Sequence, residues 1–114
     1  MRLLCRAGRL MGMLLASSTL SAASIAADRA QLELGKRLFT QASVPACGVC
    51  HTLKDSGSEG AVGPVLDELR PDATRVAKAL RNGIGQMPSY KATLDEAQIL
   101  ALAAYVARAT GASK

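Results

Sequence analysis

The sequence predicts an all-α fold, one small domain of three main helices joined by long, ordered loops. Three observations predict it. No stretch alternates apolar and polar residues long enough to make a strand. Three stretches carry apolar residues at helical spacing, and the segments between them are rich in glycine and proline. The chain has 114 residues, which bounds it to a single domain.

The first helix is expected over residues 28–41, DRAQLELGKRLFTQ. Leu32, Gly35 and Phe39 share one face there, flanked by Leu34 and Leu38. A glycine inside a helix costs about 1 kcal/mol relative to alanine, so Gly35 marks a close approach by another element. The second helix is expected over 72–82, DATRVAKALRN. Asp72 suits its N-cap, Val76, Ala79 and Leu80 form its buried stripe, and Gly83 suits its C-terminal stop. The third, over 94–109, opens on a capping box of Thr93 and Glu96. Its stripe is Ile99, Leu102, Ala103 and Val106, with Tyr105 alongside. Two loops lie between the helices, KDSGSEGAVGPVL at 54–66 and NGIGQMPSY at 82–90.

The N-terminus has a different character. Arg2, Arg6 and Arg9 precede an apolar stretch over residues 10–20, and the small residues SAASIAAD follow. This is the pattern of a secretory signal, read over residues 1–26, with the domain occupying 27–114. The apolar run is shorter than the ~20 residues a membrane span needs, so no stable membrane insertion is expected after cleavage. Cys5 falls inside the segment and leaves with it. The formal charge of +5 drops to +2, because 11 Lys and Arg remain against 9 Asp and Glu. Such a balance gives no support to a nucleic-acid partner. What remains has one histidine, His51, one methionine, Met87, and three aromatics, Phe39, Tyr90 and Tyr105. A chain of about 88 residues with so few large side chains does not build a sufficient core from its own atoms.

PACGVCHTLK, residues 45–54, places Cys47 and Cys50 around a Gly-Val pair with His51 directly after. As a redox dithiol the pair would need a strand-containing setting, which the pattern does not supply. As a zinc site it would need a fourth ligand such as Asp55, and adjacent Cys50 and His51 converge poorly on a tetrahedral ion. A disulfide between the two cysteines closes too short a loop to stabilise much. Covalent haem attachment accounts for the whole motif. The thiols add across two vinyl groups, the imidazole reaches the iron, and the porphyrin supplies the missing core. Export fits as well, because c-type haem is attached outside the bacterial cytoplasm.

The second axial position then falls to Met87. There is no second histidine, and Met87 sits outside every apolar stripe, beside Pro88, which keeps its loop from becoming helix. The alternative for a lone methionine is a gap-filler in the core.

CGVCH, VGPVL, NGIGQMPSY and LDEAQILALAAYV, in that order and spacing, resemble a class I c-type cytochrome over nearly all of residues 30–109. The resemblance implies a small cytochrome c fold wrapped around one haem c, bonded through Cys47 and Cys50. It implies His51 and Met87 as axial ligands, with Gly63 and Pro64 beside the cofactor and the Pro64 carbonyl accepting the His51 ring N–H. It also implies that the first and last helices cross, Gly35 and Phe39 against Leu102 and Tyr105. The chain departs from the commonest pattern in lacking tryptophan; Arg81 and Tyr90 are the candidates for haem propionate contacts by position, and the favoured alternative for Arg81 is an ordinary solvated side chain.

Two axial protein ligands leave no open position on the iron, which suits electron transfer rather than catalysis. The expected function is a periplasmic electron carrier with redox proteins as partners, meeting them through a small, partly apolar face near the haem edge. The alternative is a dedicated haem subunit of a heteromeric dehydrogenase, such as a molybdenum sulfite dehydrogenase, which CHTLKD and VGPVLDEL resemble.

Overall fold

The computed structural model describes residues 19–114, so most of the expected signal lies outside the described residues. Helix α1 spans Thr19–Arg37 and runs straight into a π-helical turn, Leu38–Ala42. The helix expected over 28–41 is therefore present, but it begins earlier and its last turn is widened. The Ser43 hydroxyl and amide both donate to the Leu38 carbonyl, at 2.7 and 3.2 Å, and close that wide turn. Residues 22–26 and 28–31 are exposed, and packing begins at Leu32.

From there α1 crosses α5, Glu96–Ala109. A Cβ on Gly35 would lie 2.5 Å from the Tyr105 Cβ and closer still to the Ala101 carbonyl, so only glycine lets the two backbones meet. Phe39 and Tyr105 pack edge to face beside it, with ring centroids 5.9 Å apart. Ile99, Leu102, Ala103 and Val106 are all buried, as the stripe requires, and Ala101 and Ala107 join them. Helix α5 is covered on more than one side, by α1 and by α4, Ala73–Asn82.

The N-terminus of α5 corrects the sequence reading. Its cap is Asp95, not Thr93, and the capping box is Asp95 with Gln98 rather than Thr93 with Glu96. The Gln98 amide donates to Asp95 Oδ1 at 2.8 Å, and the Asp95 amide donates to Gln98 Oε1 at 2.9 Å. Apolar contact decides between the two registers. With Asp95 as cap, Leu94 and Ile99 take the two staple positions and both enter the core. With Thr93 as cap those positions would hold Ala92 and Ala97, which offer far less to bury.

Helix α4 is capped as expected, Asp72 Oδ1 accepting from the Arg75 amide at 2.8 Å, and Gly83 follows it at φ 68°. Its buried face is turned from the expected stripe, with Ala77 and Leu80 in the core and Val76 and Ala79 half-buried along a cavity.

Short elements connect these helices. Cys47–Cys50 forms a single helical turn, α2. Two strands that alternation could not reveal follow, β1 (Thr52–Leu53) and β2 (Ser58–Glu59), antiparallel with Thr52 opposite Glu59. A 3-10 turn, Lys54–Ser56, joins them and ends on Gly57 at φ 65°. Another single turn, α3 (Leu66–Leu69), leads to α4. Among the described residues no helix is long and apolar enough to cross a membrane.

Candidate functional site

The cavity beside α4 has a volume of about 720 Å³. Phe39 from the π-helical turn, Leu66 from α3, Val76 and Leu80 from α4, and Leu102 and Val106 from α5 form apolar wall. Cys47, Cys50, His51, Gly63, Pro64 and Met87 all line the same space, although the sequence scatters them over 41 positions. A mostly apolar cavity of several hundred Å³ with a few convergent polar groups is the form a cofactor site takes.

Local structure presents each group. The helical turn of α2 puts the two cysteines of C-x-x-C on one side, with Cys47 buried and Cys50 half-buried, and both thiols are free. Burial pushes the Cys47 thiol pKa up, against a 3.6 Å contact with the Ser43 hydroxyl that pulls it down. The next residue leaves the helix in extended conformation and carries the imidazole out with it. His51 Nδ1 lies 2.8 Å from the Pro64 carbonyl oxygen. A carbonyl only accepts, so Nδ1 holds the proton and Nε2 keeps its lone pair. Gly63 lies flat against the ring: a Cβ there would sit 2.5 Å from His51 Cε1. The Gly63 amide donates to the Cys50 carbonyl at 2.7 Å, which ties this segment to the cysteine turn.

Met87 stands in a tight turn. Ile84 and Met87 exchange backbone hydrogen bonds of 3.1 and 2.9 Å, and Gly85 between them takes φ 55°. The Tyr90 amide closes the base of the loop on the Leu80 carbonyl at 2.7 Å. Met87 is half-buried and packs against the core from this loop.

A family model described as cytochrome c oxidase, cbb3-type, subunit III matches residues 30–106. The crystal structure of the c-type cytochrome SorU from Sinorhizobium meliloti is 47% identical, with a TM-score of 0.70. That match covers 73% of this chain and 94% of SorU. No curated protein matches the chain. The chain belongs to the class I c-type cytochromes. It has the cytochrome c fold and carries electrons.

The cytochrome's own residues fit a haem. The cavity is apolar and the thiols are free. The single histidine offers a lone pair, and Gly63 leaves its ring uncovered by side chain. Asp55, the carboxylate a zinc site would have needed, accepts instead from Tyr105 and Lys36.

The positions proposed for propionate contact are engaged elsewhere. The Arg81 guanidinium pairs with Glu96 of α5, and each holds the other in its charged form. The Tyr90 hydroxyl donates to the Pro45 carbonyl at 2.8 Å. Tyr90 nevertheless lines the cavity, whereas Arg81 does not. Arg75 and Lys78, one turn apart on α4, line the cavity, and their side chains have no hydrogen-bond or ion-pair partner among the described residues. Their spacing on an exposed helix face resembled an ordinary solvated surface, so the sequence did not single them out.

Proposed function

We propose that this cytochrome is an exported one-electron carrier, with a single haem c bonded through Cys47 and Cys50 and held axially by His51 and Met87. The convergence of these four side chains on one apolar cavity carries the proposal. Bound there, the haem supplies an iron that alternates between the +2 and +3 states. His51, oriented by Pro64, and Met87, fixed by the Ile84–Met87 turn, would hold that iron and leave it no open position for substrate or oxygen. Apolar walls around them disfavour the extra charge of the ferric form and raise the potential.

Residues 1–26 act as a secretory signal in this reading and leave residues 27–114 in the periplasm. Residues 22–26 are exposed, which supports a domain whose packing does not draw on them. Docking falls to the apolar side chains around the site. Val44 and Val49 flank Cys47, Val62 adjoins Gly63, and Ile84 precedes Met87, each 64–79% exposed. A face of this kind suits brief encounters with donor and acceptor proteins.

Replacing Met87 with alanine tests the site. Loss of the weak near-infrared sulfur-to-iron band and of the low-spin His/Met spectrum is the expected result, and their retention refutes the ligand assignment. Purification from the native source tests the role. A lone small haem protein supports a diffusing carrier, whereas co-purification with a dehydrogenase subunit overturns that role in favour of a dedicated haem subunit.

A further inference from the structure

Between Leu53 and Leu66, both buried, no side chain is buried. This stretch nevertheless carries the backbone that meets the site. Gly60 is pressed against the Cys50 and His51 backbone, Gly63 bonds to Cys50, and Pro64 receives the His51 ring. A hairpin with two residues per strand does not hold itself together in water. With its apolar anchors confined to Leu53 and Leu66 at the two ends, the segment between depends on polar ties to the rest of the fold.

Thr52 Oγ1 donates to the Gly60 carbonyl at 3.0 Å within the hairpin, and the ties to the helices meet at the Lys54–Ser56 turn. The Tyr105 hydroxyl of α5 donates to Asp55 Oδ2 at 2.6 Å. Lys36 Nζ of α1 lies 3.2 Å from the same oxygen and donates to the Asp55 carbonyl at 3.2 Å. The Lys54 amide donates to Asp67 Oδ2 of α3 at 2.9 Å. A single carboxylate thus joins the turn to both helices of the crossing, with Lys36, Tyr105 and Asp67 the ionisable groups around it. The Tyr105 ring also meets Phe39, which lines the cavity.

We propose that Asp55 is a positioning residue: gripped by Tyr105 and Lys36, it fixes the turn and, through the hairpin, holds the Pro64 carbonyl on His51 Nδ1. The proposal rests on His51 being an axial ligand. A firmly held acceptor strengthens the imidazole as a donor to the iron and favours the ferric state. Loosening it raises the midpoint potential.

The test uses the haem-loaded full chain with Asp55→Asn, Tyr105→Phe and Lys36→Gln, and with Leu94→Ala as a core variant away from the turn. Hydrogen exchange of the His51 ring N–H and the Gly63 amide is followed by NMR, beside the midpoint potential. In the Asp55 and Tyr105 variants both protons exchange faster, by about tenfold for one lost hydrogen bond, and the potential rises. Lys36→Gln speeds both exchanges by less, and because losing its positive charge lowers the potential by itself, exchange is its readout. Leu94→Ala lowers the unfolding midpoint and leaves these readouts unchanged. Asp55→Asn also removes a negative charge, which raises the potential by itself, so Tyr105→Phe, which keeps the charge, is decisive, also where Asp55→Asn does not fold. Variants that change only the unfolding midpoint overturn the proposal. If the unmutated protein lacks a His/Met spectrum, the ligand reading fails; a normal spectrum with unchanged exchange removes the clamp alone.

Discussion

Gly35 of α1 and Tyr105 of α5 touch backbone to side chain with no room for a methyl group between them. Alanine would return about 1 kcal/mol of helix propensity, but overpacking a tight contact costs about 1–3 kcal/mol or more. Here the added carbon meets a main-chain carbonyl as well as Tyr105, and a backbone cannot swing aside. Gly35→Ala is expected to lower stability by about 1–2 kcal/mol net, seen as a lower denaturant midpoint with unchanged slope. A variant as stable as the parent would show that the crossing relaxes freely.

Gly63→Ala is expected to act on the ligand instead of the fold. The new methyl would strike the His51 ring, 2.5 Å from Cε1, while Gly63 itself is only half-buried. With His51 as the proposed iron ligand, turning the imidazole would change its overlap with the iron. Electron paramagnetic resonance of the ferric protein should show a shifted g-tensor at nearly unchanged thermal stability. An unaltered g-tensor would mean that the ring has slack the geometry denies.

Arg75 and Lys78 line the cavity with charges unpaired among the described residues, and Arg81 spends its charge on Glu96. Positive charge beside the haem disfavours the ferric form. Arg75→Gln and Lys78→Gln should therefore each lower the midpoint potential, whereas Arg81→Gln should stay near the parent value. Voltammetry at constant ionic strength distinguishes them, and a larger effect from Arg81 would restore the propionate role its position first suggested.

Stability should fall at both ends of the pH scale for separate reasons. Burial, the largest cause, pushes the Tyr90 hydroxyl up to about 12, and the Cys47 and Cys50 thiols add to the shift only while they are free. A raised folded value means that its contribution is complete below about pH 10 and is lost as pH climbs towards 12. At the acid end, the Tyr105 hydroxyl and then Lys36 hold the Asp55 carboxyl below its usual range. Its contribution is present above about pH 4 and disappears as pH falls through the lowered folded value. Asp55 is nearly half exposed, so solvent screening keeps that effect small. Tyr90→Phe should flatten the alkaline limb of the unfolding midpoint against pH, and Asp55→Asn the acid limb. Unchanged limbs would assign the pH dependence to other groups.

The residues proposed to carry the chemistry were legible because each is scarce. After the expected signal the chain has two cysteines, one histidine and one methionine, and all four line one cavity. Gly35 announced the helix crossing because glycine is costly where nothing presses on it. The α5 start was misread because TLDEAQ contains two capping registers, and only the packing of Leu94 and Ile99 selects one. The strands were missed because a two-residue strand has no period to detect. Asp55 was invisible for a different reason. Its partners are 19 and 50 positions away, and no local pattern encodes a contact that the helix crossing creates.

The cavity also divides the interior into two kinds of burial. Phe39, Ile99 and Tyr105 are packed by the chain itself at the α1–α5 crossing, whereas Val76, Ala79 and Met87 stay half-buried along the cavity. The first group can assemble from polypeptide alone. In the proposed holoprotein, a porphyrin bonded to Cys47 and Cys50 would complete the packing of the second group. On that reading maturation would have a natural order, with the crossing as scaffold and the cofactor as the last part of the core to arrive.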